Sequence, residues 1–260
     1  MNLAILLAAY GSRQPGALAV IENIRERVQA AHPEAACNVA FTSRCVRGHL
    51  ARQGQAADSV AEALDKLRGQ GFGRVAVLSL HIVPGEEFES VLAAADEART
   101  RGQSVEVAGP LLTGEDDVER VAGILARLFP ERPGAGETVL LMGHGSKHPG
   151  NSLYAGLDRA LRRRAPHVHL GALEAEPGIE ALRDRLLAQG ARSVLLLPFL
   201  FGPGYHAAQD LAGEGPDSWL AVLTRAGLTC RAEIKGAGEY EDLVELWLEH
   251  LDAALARLGQ

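Results

Sequence analysis

The sequence repeats itself, and that duplication constrains the fold more than any local signal. Tyr10-Gly-Ser-Arg-Gln-Pro-Gly16 lies over His144-Gly-Ser-Lys-His-Pro-Gly150, each directly after a short apolar run. Further on, Gln70-Gly71 opens a run that reaches Pro84-Gly85-Glu86-Glu87, and Gln189-Gly190 opens one that reaches Pro203-Gly204-Tyr205-His206. The Pro-Gly stands equally far beyond the Gln-Gly in both halves. Each copy must then build the same supersecondary unit around its own core. In this register Tyr10 pairs with His144, and Glu87 with His206.

Within each copy, short apolar runs alternate with amphipathic stretches. Residues 3–9, 39–41, 74–80 and 104–107 read as strands, with helices over 18–31 and 59–70. The second helix opens on Ser59 with Glu62 three residues later, the signature of a capping box. The alternation restarts after the break: strands at 138–142, 168–172 and 193–198, helices at 152–164 and 178–189. Leu243, Leu246, Trp247, Leu251 and Leu255 fall at helical spacing and predict a final helix over 240–258. Continuous apolar strands separated by helices imply parallel sheets covered on both faces. The expectation is therefore an α/β protein of two duplicated lobes, each a parallel sheet flanked by helices. The lobes span 1–129 and 138–260, joined by a Pro/Gly-rich linker at 130–137, with the C-terminal helix free to pack across them.

Several function classes are excluded at this level. The 33 acidic and 26 basic residues leave a net charge of -7, which argues against a nucleic-acid partner. No stretch approaches the roughly 20 apolar residues of a membrane span, so no membrane partner is expected. The N-terminal apolar run is one strand long and enters Gly11-Ser12-Arg13, unlike a signal peptide. Cys37, Cys45 and Cys230 show no CxxC spacing and read as free thiols of a reducing, cytoplasmic compartment. Gly202-Pro-Gly-Tyr-His-Ala207 fits the loose form GxGxxG/A, but it follows a third strand rather than a first. With no Walker loop and no GxSxG, no nucleotide is expected.

Ligands of open parallel sheets bind beyond the carboxyl ends of strands. Tyr10, Glu87, His144 and His206 all fall there. Two lobes related by a pseudo-twofold would turn those ends to one cleft, making neighbours of His144, His206 and Glu87. Imidazole with carboxylate suits divalent Fe, Co, Ni or Zn, and three ligands leave positions open for exchange. The plainer reading is a turn or packing histidine at each site. His148 reads as a surface residue, and His81 either lines the cleft or is a satisfied core histidine. Arg13, Arg44, Arg47 and Lys147 cluster near strand ends, where they meet substrate carboxylates or merely water. Glu174 and Glu176 either line the cleft or cap the helix behind Pro177.

These residues sit in segments that resemble the anaerobic sirohydrochlorin cobalt chelatases of the CbiK type, within the class II chelatases. The segments are Phe41-Thr-Ser43, Ser79-Leu-His-Ile-Val-Pro-Gly-Glu-Glu-Phe-Glu89, Leu141-Met-Gly-His-Gly145, Gly171-Ala-Leu-Glu174, the His206 loop and Asp217-Ser-Trp219. The resemblance implies two ferrochelatase-like (flavodoxin-like) lobes and ATP-independent insertion of Co2+ into sirohydrochlorin on the anaerobic cobalamin route. It implies metal ligands His144, His206 and Glu87, with His144 and Glu87 handling protons. Tyr10, Ser12, Arg13, Ser43, His81, Lys147 and Glu174 become candidate substrate contacts. Co2+ is the expected substrate metal, with Fe2+ (giving sirohaem) or a non-catalytic metal or tetrapyrrole carrier as alternatives. Relatives also suggest a homo-oligomer. The residue before Glu87 is Glu86, so no haem ligand is carried over from haem-binding relatives.

Overall fold

A computed structural model describes residues 2–131 and 137–259. In chain order the elements are β1 (Leu3–Ala9), α1 (Pro15–Ala31), β2 (Ala36–Phe41), α2 (Arg44–Arg52), α3 (Val60–Gly69), β3 (Arg74–Ser79), α4 (Glu86–Thr100), β4 (Ser104–Ala108) and α5 (Glu115–Leu128). They continue with β5 (Glu137–Gly143), α6 (Ser152–Arg164), β6 (Val168–Ala172), α7 (Ile179–Ala188), β7 (Ser193–Pro198), α8 (Trp219–Arg225), β8 (Thr229–Ala232) and α9 (Glu241–Leu258). Two four-stranded sheets result, ordered β2-β1-β3-β4 and β6-β5-β7-β8. Every strand pair is parallel.

The repeat is therefore real at the level of topology and of backbone detail. Gly11 (φ 88°) and Gly145 (φ 78°) occupy matching left-handed positions after β1 and β5, and Gly71 and Gly190 match in the turns before β3 and β7. The amide of Leu80 donates to Ala8 O, and that of Phe199 to Met142 O, both at 2.8 Å. Ser43 N donates to Tyr10 O as Glu174 N donates to His144 O. The copies thus pair Ser43 with Glu174 as well.

Both sheets are buried on two faces. Ile5, Leu6 and Leu7 alternate sides of β1, and all are fully enclosed, each contributing about 1.5–3 kcal/mol. Leu6, Val75 and Val77 pack with Leu64 and Leu67 of α3 and Val91 and Ala95 of α4. In the second sheet, Leu140, Met142, Val194 and Leu196 pack with Leu182, Leu186, Trp219 and Leu223. The capping box at α3 is formed: Glu62 N donates to Ser59 Oγ, and Ser59 N donates to Glu62 Oε2. Helices α2, α4, α5 and α8 and strand β8 were outside the sequence expectation. Helix α4 opens with Glu86, Glu87 and Glu89, which suit the positive end of its dipole.

Packing divides the chain into two compact units whose boundaries differ from the expected lobes at 1–129 and 138–260, with the final helix crossing as the expectation allowed. One unit combines Met1–Leu111 with Glu241–Gln260; the other is Leu112–Tyr240. Helix α5 packs against α6 and so belongs to the second unit, while α9 packs against β3 and β4 of the first. Two apolar stripes explain this. Val118, Val121, Ala122 and Leu125 of α5 are buried, as are Leu243, Leu246, Trp247 and Leu251 of α9. Residues 132–136 of the expected linker lie outside the described residues.

Each unit carries a histidine whose surroundings favour the neutral ring, His169 fully buried and His81 half-buried. His169 on β6 is 1% exposed, beside Asp158, which takes Arg185 Nη1 on both oxygens at 3.2 Å. Burial, reinforced by the Arg185 charge, pushes its pKa down to about 4. His81, just beyond β3, is likewise pushed down to about 4 by burial. Its Nδ1 lies 2.9 Å from Ser79 Oγ and its Nε2 3.4 Å from Thr42 Oγ1, while its backbone carbonyl accepts from Trp247 Nε1. A depressed histidine pKa means that the unfolded chain binds more protons between the two values. Stability is then full above about pH 6.5 and falls as pH drops through about 4. For His169 the shift corresponds to about 3 kcal/mol. Urea midpoints are expected to decline across this window, with a shallower decline in His169→Leu; identical slopes would remove His169 as the cause.

Candidate metal-handling site of the second unit

Strand β5 ends in Gly143, and the local sequence holds His144 between two glycines that no larger residue can replace without movement. A Cβ on Gly143 would lie 2.6 Å from the Tyr154 ring. That ring is buried beneath the loop, its hydroxyl beside the His144 backbone amide. A Cβ on Gly145, already at positive φ, would lie 2.9 Å from Ala172 Cβ and 3.0 Å from Ala175 N. His144 Nδ1 donates to Gly145 O at 2.8 Å. The loop beyond is also ordered by its own atoms: Ser146 Oγ accepts from His148 N, and His148 Nδ1 from Gly150 N. His148 is committed to that turn.

His206 arrives from the loop after β7. Gly236 lets this loop close against Gly202, since a Cβ there would lie 2.5 Å from Gly202 Cα. His206 has helical backbone angles (φ -62°, ψ -37°) and leads into a π-helical turn, Ala207–Leu211. Ala207 and Leu211 are fully buried and anchor the turn, while His206 and Asp210 remain partly accessible. His206 Nδ1 meets Asp210 Oδ2 at 2.7 Å.

The two imidazoles meet edge to face, their centroids 4.7 Å apart and their planes at 90°. A carbonyl and an ionised carboxylate only accept hydrogen bonds. Both Nδ1 atoms therefore carry a proton, and in neutral rings both Nε2 atoms keep a lone pair. That is the state in which histidine ligates a metal. Exposed Tyr205 (55%) extends the series, its ring 5.7 Å from His206 at 87°. Among the described residues no group of three or more His, Cys, Asp or Glu forms a metal-holding set; the histidine pair is what the second unit brings together.

Glu174 is exposed, and its backbone amide donates to His144 O at 2.8 Å, so it leaves the strand end adjoining that histidine. Lys147 is exposed on the loop after His144. Glu87 belongs to the first unit, in the first turn of α4. Tyr10 of the same unit is 52% exposed, and Arg13 is exposed on the matching loop. Neither Arg13 nor Lys147 has an ion pair among the described residues. Ser12 Oγ accepts from Gln14 N. Ser43 is buried and caps α2 by accepting from Val46 N at 3.4 Å. Arg47 is committed to the carbonyls of Phe41 and Thr42, whereas Arg44 is exposed. His81 has the partners of a structural histidine, as described above. An apolar groove of about 360 Å³, lined by Leu18, Ile21, Val39 and Phe41 among others, contains none of these residues. Asp210 was missed by the sequence reading: its only signal there is a carboxylate four positions after a histidine.

The family model described as Cobalt chelatase (CbiK) matches residues 3–256. The chain belongs to the CbiK cobalt chelatase family. It is 38% identical over 256 residues to Sirohydrochlorin cobaltochelatase CbiKC of Nitratidesulfovibrio vulgaris (strain Hildenborough), covering 98% of this chain and 91% of that one. It is 32% identical over 217 residues to Sirohydrochlorin cobaltochelatase of Salmonella typhimurium (strain LT2), covering 83% and 82%. Among solved structures, SirB from Bacillus subtilis with Fe3+ shares the fold with TM-score 0.67 at 16% identity, covering 100% of this chain and 98% of that one. This CbiK-family chain thus carries its histidine pair on a chelatase fold. No helix among the described residues is long and apolar enough to cross a membrane.

Proposed function

We propose that the protein is a sirohydrochlorin cobaltochelatase that receives Co2+ on Nε2 of His144 and Nε2 of His206. The observation that carries this is the pair of rings 4.7 Å apart whose Nδ1 atoms are both tied to acceptors. Each ring then offers an Nε2 lone pair to an ion, and imidazole suits Co2+ and Fe2+ alike. Few protein ligands leave positions that the pyrrole nitrogens can take in turn. Insertion of Co2+ releases two N–H protons from the macrocycle, and departure of the ion vacates two imidazole nitrogens able to accept them. Arg13 and Lys147, exposed cations on matching loops, suit the carboxylates at the substrate's edge. No nucleotide takes part. Three free cysteines suit the reducing cytoplasm.

A carboxylate completes this reading, with two candidates. The repeat register supports Glu87; the backbone bond between Glu174 and His144, within the same unit, supports Glu174. Protein, sirohydrochlorin and Co2+ are mixed without ATP, and the absorption spectrum is followed beyond one equivalent, with Fe2+ in a parallel series. Multiple turnover is expected, whereas stoichiometric binding alone would make the protein a carrier. The ligating carboxylate is the one whose Gln variant loses Co2+ affinity roughly 10-fold or more, the effect expected from a metal-site partner. Wild-type affinity in both Gln variants would leave the histidines without carboxylate help.

A further inference from the structure

Asp210 lies directly behind one ring of the histidine pair. The pair it forms with His206 is open to solvent on both sides, with side chains 41% and 42% exposed. Such pairs add little to stability, so the contact has little reason to exist as a fold-holding bridge. The backbone around it is nonetheless constrained. The π-turn has buried anchors at Ala207 and Leu211, and it closes where Gly213 N donates to Gln209 O at 3.1 Å. A Cβ on Gly213 would lie 2.3 Å from that oxygen. π-turns of this kind occur frequently at functional sites. Here the turn points His206 and Asp210 the same way and sets Oδ2 2.7 Å from Nδ1.

We propose that Asp210 is a positioning residue: by occupying Nδ1 of His206 it presents Nε2 as that ring's metal-binding nitrogen and so sets the affinity of the histidine pair for a divalent cation. The two rings are supported unequally. His144 leans on a backbone carbonyl, which no substitution removes, and His206 on a carboxylate, which a substitution can. A carboxylate behind an imidazole fixes its tautomer and orientation and raises its basicity as a ligand, and losing such a partner typically costs 10–100-fold in metal affinity. The inference rests on the histidine pair being the ion-handling site, and the test separates the two.

Co2+ alone is titrated into the full chain and into Asp210→Ala, Asp210→Asn and His206→Ala, with Kd read from the cobalt absorption bands and folding checked by circular dichroism. Asp210→Ala is expected to bind Co2+ about 10–100-fold more weakly. Asp210→Asn keeps an acceptor oxygen and is expected to recover part of the loss, which a merely structural role would not produce. In turnover, KM for Co2+ is expected to rise more than kcat falls. Wild-type affinity in Asp210→Ala, with His206→Ala defective, overturns the positioning role and leaves the site standing. Wild-type affinity in His206→Ala overturns the site itself and the inference with it.

Discussion

Replacing His144 by alanine is expected to lower metal insertion by roughly 10²–10⁴-fold, the range for removal of a positioned proton-handling group, while the fold survives. The expectation follows from what the side chain does and does not hold. Its ring sits between Gly143 and Gly145, and its Nδ1 donates to the neighbouring carbonyl at 2.8 Å. Losing that bond costs about 1 kcal/mol. The catalytic loss has two sources: one of the two Nε2 lone pairs disappears, and so does one of two places for a pyrrole proton. Turnover is measured spectroscopically with Co2+ and sirohydrochlorin, and stability by thermal melting. Wild-type turnover in a folded variant would remove His144 from the mechanism.

Truncating Trp247 to alanine is expected to destabilise the first unit by about 3–5 kcal/mol, the usual cost of emptying a buried indole site. Trp247 is fully buried on α9, and its Nε1 donates to His81 O at 3.3 Å. Although it follows every strand of the second sheet in sequence, its packing is with residues 1–111. Hydrogen exchange distinguishes the two readings of the chain. Protection is expected to fall in β1, β3 and β4 and to persist in β5, β6 and β7. The opposite pattern would restore the boundary at 130–137.

Much of the architecture was legible because the repeat is carried by glycines. Gly11 and Gly145, and Gly71 and Gly190, are needed at positive φ in both copies, so the register survives where side chains have diverged. The crossing of the final helix was allowed for, but the transfer of α5 to the second unit was not legible. An apolar stripe such as Val118–Val121–Leu125 shows that α5 packs on something, yet it carries no information about which sheet. Helix α4 was obscured because its buried face is narrow and made partly of small residues, Val91, Ala95 and Ala98.

The site divides in the same way. His144 and His206 stood out because loops after two strands of the second copy carry histidine where scaffold needs none, and the structure sets their rings against each other. Glu87 came from the same register, at the position matching His206, and stands in the first turn of α4 in the first unit. Glu174 was visible as a strand-end carboxylate, and the backbone bond to His144 makes it a stronger candidate than its sequence context did. Asp210 could not be singled out without the π-turn, since spacing of four residues is common wherever a helix begins.

The discontinuous first unit has a consequence for synthesis. A ribosome making this chain delivers β1 to β4 early, yet α9, which covers β3 and β4, follows only after all of residues 112–240. The central unit is contiguous and can fold as it emerges, whereas the earlier sheet must wait with apolar surface unshielded. Nascent chains halted before residue 241 are thus the ones most dependent on chaperones.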